Sequence, residues 1–284
     1  MRNWDDHQLI LAIHRHGTLR AAGVALSVTH TTIARRLNAL ETSEPAPLFL
    51  RDGRSLRTTD YGLERVVIAE KIERLDFEAD RVRKRLGDGL SGPISLSIPP
   101  AVLEYLLLDD INSFIVKHPD IDLSVVGTEQ LADLDRGEAD VVIRGQESPP
   151  DHLIGRRIAT IGLRYYAHRD YLARTAFDER IWITPSADPG WISETPFPDR
   201  PSGLVIHDIQ SRFLALKAGH GMSRAACFMA DPDPDLVRLD DRQSMPLYGL
   251  WVLTHPDLRN SPRVQALMQH MSEALSRKRD LMEG

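Results

Sequence analysis

Residues 26–41 read Leu-Ser-Val-Thr-His-Thr-Thr-Ile-Ala-Arg-Arg-Leu-Asn-Ala-Leu-Glu, and the placement of their side chains decides how the first part of this chain folds. Ile33, Leu37 and Leu40 recur at spacings of four and three, which puts them on one face of an α-helix. Thr29 stands just ahead as an N-cap, its hydroxyl placed to accept from a backbone N–H left free in the first turn. The opposite face carries His30, Thr31, Thr32, Arg35 and Arg36. Such a helix anchors its apolar stripe in a domain and leaves its cations and hydroxyls for a partner.

Toward the N-terminus, Leu9, Ile10, Ala12 and Ile13 predict a first helix over 4–16, ended by Gly17. Thr18 caps a short helix over 19–26, expected to bury Ala21, Ala22 and Ala25, and Ser27-Val28 make a tight break. Two helices joined by so short a turn predict a helix-turn-helix, whose second helix fits the major groove of duplex DNA. Toward the C-terminus, Pro45 and Pro47 end the helical region, and residues 48–57 read as two short strands around Gly53, a wing. Helical pattern resumes at Thr59. There Ile68, Ile72, Leu75, Ala79, Val82 and Leu86 form a heptad seam of nearly three repeats. The seam predicts either a partner helix or packing on its own domain.

Gly87, Gly89 and Gly92-Pro93 predict a linker. Beyond it come a strand over 94–98, a helix from Pro99-Pro100 to about Lys117, and a strand over 121–126. A helical stretch near 131–137 then leads into an apolar, buried parallel strand over 139–144. That alternation is an α/β unit. Later strands are expected near 163–167, 182–184, 204–206 and 248–254, with helices over 208–218 and 262–277, the last burying Val264, Leu267, Met268, Met271 and Leu275.

The 284 residues, 42% hydrophobic and 27% charged, fit two or three soluble folding units. The apolar runs at 102–108 and 141–143 fall short of the roughly 20 residues a membrane span needs, so no membrane partner is expected. The opening Met1-Arg2-Asn3-Trp4-Asp5-Asp6 lacks the pattern of a secretory signal, and a cytoplasmic location is expected. The net charge of −6 is uneven: residues 1–90 hold 15 Lys+Arg against 13 Asp+Glu, the remainder 20 against 28. Over 15–60 the count is 7 basic against 4 acidic, which permits polyanion binding there without demanding it.

Catalytic signatures such as H-E-x-x-H, C-x-x-C, G-x-G-x-x-G and G-x-S-x-G are missing, and the eleven histidines show no metal-ligand spacing. His14 and His16, two apart on a helix, point to different faces. Cys227, the one cysteine, reads as an inert buried residue. No catalytic residue, metal or cofactor is expected, and the chain reads as no enzyme.

The order of parts resembles the LysR-type transcriptional regulators along essentially the whole chain. Residues 26–41 resemble that family's recognition segment, L-x-V-S-Q-P-A-L-S-R-x-I-x-x-L-E. Pro47-Leu48-Phe49-Leu50-Arg51 resembles its P-L-F-x-R, Thr59-Asp60-Tyr61-Gly62 its T-E-A-G, and residues 137–144 its G-E-x-D-x-x-I-R. His7, His30, Thr31 and Ala34 depart from the usual Leu, Gln, Pro and Ser, so the reading surface is this chain's own; Ala226 stands near a frequent Pro.

The resemblance implies a winged helix-turn-helix DNA-binding domain over 1–58, a dimerising linker helix over 59–88, and an effector-binding domain over 89–284. That last part would be a two-lobed α/β fold of the type II periplasmic-binding-protein kind, with lobe I about 92–161 and 255–284 and lobe II about 162–254. It also implies homodimers or homotetramers controlled by a small molecule between the lobes. His30, Thr31, Thr32 and Arg35 are expected to face base edges of promoter or operator DNA, and Thr29, Arg36, Arg51 and Arg54 to hold phosphates. Taken singly, each arginine reads equally as a solvated surface charge. By family position, Pro99, Pro100, Thr128, Arg144 and His207 border the effector cleft, where helix N-termini suit a carboxylate. Each of these also has a purely structural alternative, and a two-lobed binding or enzymatic protein with an N-terminal dimerisation module remains the other reading of the whole.

Overall fold

A computed structural model describes residues 4–85 and 89–284. By internal contacts the chain divides into two units, Met1–Arg83 with Asp135–Gly137, and Lys84–Leu134 with Glu138–Gly284.

In the first unit, α1 (Trp4–His16) ends at Gly17, which takes a φ of +66°. α2 (Leu19–Ala25) opens at Thr18, whose hydroxyl accepts from the Ala21 N–H. Ala22 is buried and Ala21 half-buried, but Ala25 is exposed, contrary to the expectation. At 100° per residue the inward face of α2 centres on Leu19, Ala22, Gly23 and Leu26, and Ala25 is turned away from it by roughly 110°. The close approach runs through Gly23, where a Cβ would stand 2.8 Å from the Val28 carbonyl oxygen.

α3 (His30–Thr42) buries Ile33, Leu37 and Leu40 in one core with Leu9, Ile10 and Ile13 of α1. Each such side chain stabilises the domain by about 1.5–3 kcal/mol. β1 (Phe49–Asp52) and β2 (Ser55–Thr58) pair as an antiparallel hairpin, closed by Asp52 opposite Ser55 with Gly53 at φ +58°. The Leu56 N–H donates to the Gly17 carbonyl at 2.7 Å, pinning this wing to the α1–α2 turn.

α4 (Asp60–Arg85) starts where the Thr59 hydroxyl accepts from the Gly62 N–H at 2.9 Å and donates to the Pro47 carbonyl at 2.7 Å. The helix passes so near β1 that a Cβ on Gly62 would lie 2.1 Å from the Leu48 carbonyl oxygen. Gly62, Val66 and Ala69, spaced four and three, form its inward face. The predicted heptad seam is a different stripe: Ile68 and Leu75 are 42% and 63% exposed, Ala79 is exposed, and Ile72 and Val82 are half-buried. Packing on its own domain therefore does not account for the seam. Leu86 and Gly87 lie outside the described residues.

The second unit starts with β3 (Gly92–Ile98), followed by α5 (Pro100–Val102), a π turn (Leu103–Leu107) and α6 (Leu108–Lys117). β4 (Ile121–Gly127) and β5 (Val141–Gln146) flank β3 in parallel. Residues 131–137 form turns rather than the predicted helix. There Glu138 N–H donates to the Asp133 carbonyl and the Glu138 carboxylate accepts from the Asp133 N–H, local bonds that replace helical ones.

β6 (Ile154–His168), α7 (Arg169–Arg174), β7 (Trp182–Thr184), β8 (Ser202–Val205), α8 (Ile209–Lys217), β9 (Met222–Ala226), α9 (Cys227–Ala230), β10 (Leu236–Arg238), β11 (Met245–Thr254), α10 (Pro262–Arg277) and α11 (Arg279–Glu283) complete it. The strand order is β4-β3-β5-β11-β6-β9-β7-β8, with β10 beside β6. Two parallel blocks, β4-β3-β5 and β9-β7-β8, are thus joined by the long antiparallel pair β6 and β11. β11 meets β5 through residues 249–254, and β6 meets β9 through residues 163–167. This is a two-lobed α/β domain with crossover strands between the lobes. α10 buries Val264, Leu267, Met271 and Leu275 as expected, with Met268 only half-buried.

Candidate nucleic-acid interface and ligand cleft

The α3 face is organised by its cap. The Thr29 hydroxyl accepts from the Thr32 N–H at 3.3 Å and lies 2.9 Å from each of the Thr31 and Thr32 hydroxyls. His30, Thr31, Arg35 and Arg36 are exposed and Thr32 half-exposed, all opposite the buried stripe. Arg51 and Arg54 are exposed on the wing. Among the described residues none of these four guanidiniums has a hydrogen bond or ion pair. Asp52 is exposed on the wing between Arg51 and Arg54, whereas Glu41 and Glu44 are turned inward. Glu41 accepts from the Leu48 and Phe49 N–H groups at 3.0 and 3.1 Å, and Glu44 lies 3.5 Å from the buried Arg65 and accepts from the Tyr61 hydroxyl. The unit therefore presents cations outward and keeps those anions as internal braces, a surface suited to a polyanion.

These contacts also give the quoted motifs their reasons. Pro47-Leu48-Phe49 is held by Glu41 at the end of the recognition segment. Thr59-Asp60-Tyr61-Gly62 supplies a cap, a tyrosine that reaches Glu44, and a residue small enough to pass the Leu48 carbonyl. In the second unit, the Asp140 carboxylate accepts from the Ser95 N–H and hydroxyl at 2.9 and 3.0 Å, stapling β5 to β3.

Between the two strand blocks lies a narrow hollow of about 50 Å³ that opens to solvent. Its walls are Ala101 and Val102 on α5, Ile161 and Leu163 on β6, Phe228 and Met229 on α9, and Leu247, Tyr248 and Leu250 on β11. Tyr248 lies against Gly145, where a Cβ would stand 1.9 Å from its ring, so glycine there makes room for the phenol. Burial first, and the Glu129 carboxylate second, push the Tyr248 hydroxyl above its ordinary range.

Of the five residues expected at this cleft, Pro99 lines the hollow; Pro100, Thr128, Arg144 and His207 do not. Arg144 is buried and its NH groups donate to the Ser97 hydroxyl at 2.6 Å and to the Gln130 and Ile143 carbonyls, both at 2.9 Å. Burial lowers its pKa. The Thr128 hydroxyl accepts from the Gln130 N–H, and His207 is exposed beside Asp208, the actual cap of α8. The lining residues are the sequence neighbours Glu129 and Gly145. Along β5 successive residues point to opposite faces, so the one-residue offset from Gly145 to Arg144 exchanges a cleft position for a buried one. Alternation along 139–144 was the available signal, but an unbroken apolar run hides which face is which.

Cys227 is fully buried, and burial pushes its thiol up, away from nucleophilic reactivity. Among the described residues no three His, Cys, Asp or Glu side chains form a metal-sized group, and no helix is long and apolar enough to cross a membrane.

The sequence signature described as "Bacterial regulatory helix-turn-helix protein, lysR family" matches residues 4–63, and that described as "LysR substrate binding domain" matches residues 87–276. The chain belongs to the LysR family: it is a DNA-binding transcription regulator with an effector-binding domain. It is 26% identical over 276 residues to the Mau operon transcriptional activator of Paracoccus denitrificans, covering 92% of each chain. It is 34% identical over 130 residues to the AhcY transcriptional activator HvrB of Rhodobacter capsulatus, a match spanning 45% of this chain and 43% of that relative. In fold it is similar to the full-length Vibrio cholerae virulence activator AphB, with a TM-score of 0.61, 23% identity, and 95% and 98% of the two chains covered.

Proposed function

We propose that this chain binds a promoter or operator as a homodimer or a tetramer built from dimers, laying α3 in the major groove. His30, Thr31, Thr32 and Arg35 meet base edges; Thr29, Arg36, Arg51 and Arg54 hold phosphates on either side. The observation that carries this reading is the set of four arginines without a hydrogen bond or ion pair among the described residues, displayed by a helix and wing whose other sides are locked into one core. The exposed seam of α4 supplies the dimer contact. In this reading residues 1–58 bind DNA, 59–88 dimerise, and 89–284 bind a small effector, with lobes at about 92–161 with 255–284 and at 162–254. Effector binding in the hollow shifts the lobes and so the spacing of the two recognition helices. The protein acts in the cytoplasm, as a regulator rather than an enzyme, with no membrane partner.

The test is a mobility-shift series of the full chain on DNA upstream of its own gene, against scrambled DNA, across salt. A specific complex that weakens steeply with salt supports the reading. Absence of any DNA complex at low salt would falsify it and leave the two-lobed binding protein as the alternative.

A further inference from the structure

The hollow between the strand blocks is mostly apolar, with Glu129 and Tyr248 as its polar lining, and it adjoins two cations that form no ion pair among the described residues. A second, smaller hollow shares Ile209, Ala226 and Met229 with the first and is otherwise lined by Arg212, Phe213, Ser223, Arg224 and Ala225. Arg212, on the first turn of α8, donates through one guanidinium nitrogen to the Ile206 and His207 carbonyls, at 2.8 and 3.2 Å, which fixes its position without neutralising it. Arg224, on β9, stacks 4.9 Å from the Trp191 ring centroid and has no hydrogen bond or ion pair among the described residues. Both are half-buried.

The nearest carboxylates are Asp208, whose charge acts on Arg212, and Glu194, whose charge acts on Arg224, and neither forms an ion pair with them among the described residues. Asp208 accepts from the Ser211 N–H as the α8 cap, and Glu194 is exposed and has no ion pair among the described residues. Burial lowers the pKa of each guanidinium and Arg224 lowers that of Arg212 further, while Asp208 offsets part of this at Arg212, and Tyr165 and Glu194 part of it at Arg224. Two like charges lining one half-buried hollow, each near a carboxylate but ion-paired to none among the described residues, gain from an anion that hydrogen-bonds both.

We propose that Arg212 and Arg224 form the anion-receiving annex of the effector cleft, and that the effector is an amphipathic monoanion. Its hydrocarbon body packs on Val102, Leu163, Phe228 and Met229, and its carboxylate or comparable acid group enters between the guanidiniums. This rests on the reading of the hollow as the effector site and names the ligand class for it. It places the acid group on the α8–β9 side, away from Arg144, whose NH groups already serve the fold.

The experiment titrates the full chain with phenylacetate and with its neutral isostere phenylacetamide, following tryptophan fluorescence and melting temperature. A charge-assisted contact predicts phenylacetate binding at least about tenfold more tightly. Arg224→Met and Arg212→Gln should each bring the two ligands within about threefold, while Arg224→Lys keeps part of the preference. Should Arg224→Met fail to fold by circular dichroism, Arg212→Gln and Arg224→Lys carry the same comparison. Equal binding of acid and amide by the unaltered chain, a preference that survives both substitutions, or saturation by neither compound would overturn the annex. Saturable binding of the amide without acid preference leaves the hollow as the effector site. Operator binding on the same preparation reports separately on the regulator reading.

Discussion

Replacing Arg51 by alanine isolates one phosphate contact from everything else the first domain does. Arg51 is exposed on β1 and has no hydrogen bond or ion pair among the described residues, so its removal should change stability by no more than about 0.5 kcal/mol. Each phosphate neutralised contributes about 0.9 to the slope of log affinity against log salt on duplex DNA. A two-chain complex presents the position twice, so Arg51→Ala should lower the slope by about 1.8. Over the fourfold interval from about 50 to 200 mM salt, the advantage of the unaltered protein should then shrink by roughly tenfold. The loss should be alike on operator and scrambled DNA, because a phosphate carries no base identity. Fluorescence anisotropy on both duplexes across that interval reads all of these at once. A variant whose slope parallels the parent's, with unchanged melting temperature, would show that Arg51 does not touch DNA and that its exposure means only solvation.

Arg35→Ala should behave differently, narrowing the operator-to-scrambled ratio by about 1–3 kcal/mol if it reads a base edge, as competition titrations would show; an unchanged ratio assigns it to the backbone. Gly62→Ala forces a Cβ against the Leu48 carbonyl oxygen, a backbone atom 2.1 Å from the ideal position, and should cost more than about 2 kcal/mol in denaturant unfolding; a neutral result would mean that α4 shifts freely along the wing. Leu75→Glu, on the exposed seam of α4, should move the mass measured by light scattering toward one chain, and an unchanged oligomer removes the seam from the interface.

Arg15 donates two hydrogen bonds to Glu73, at 2.8 and 2.6 Å, and these hold that carboxyl below its ordinary range. The folded pKa is depressed, so the contribution is complete above the unfolded value of about 4.3 and is lost as pH falls through the folded one. Arg15→Met should therefore cost about 1 kcal/mol or less at neutral pH and nothing near pH 2. A deficit of equal size at both ends would assign the effect to packing instead.

Local chemistry made much of this protein legible before its structure. Thr18, Thr29 and Thr59 each announce a helix start through a hydroxyl that serves nearby N–H groups, and Ile33, Leu37 and Leu40 orient α3 by period alone. Such signals rest on atoms a few residues apart, so sequence carries them whole. What sequence left undecided were questions of which face meets which. The stripe of α4 that packs inward is Gly62, Val66 and Ala69 rather than the heptad seam, and Ala25 stands outside a contact that Gly23 makes. In the second domain Arg144 turns into the fold while Gly145 meets Tyr248 in the hollow. Residues 212 and 224, on a helix and a strand with a turn between them, come to one hollow only because α8 and β9 pack together. Long-range pairing chooses among faces that period leaves equivalent, and that choice is made by the register of β5, β6, β9 and β11, which no short stretch of sequence contains.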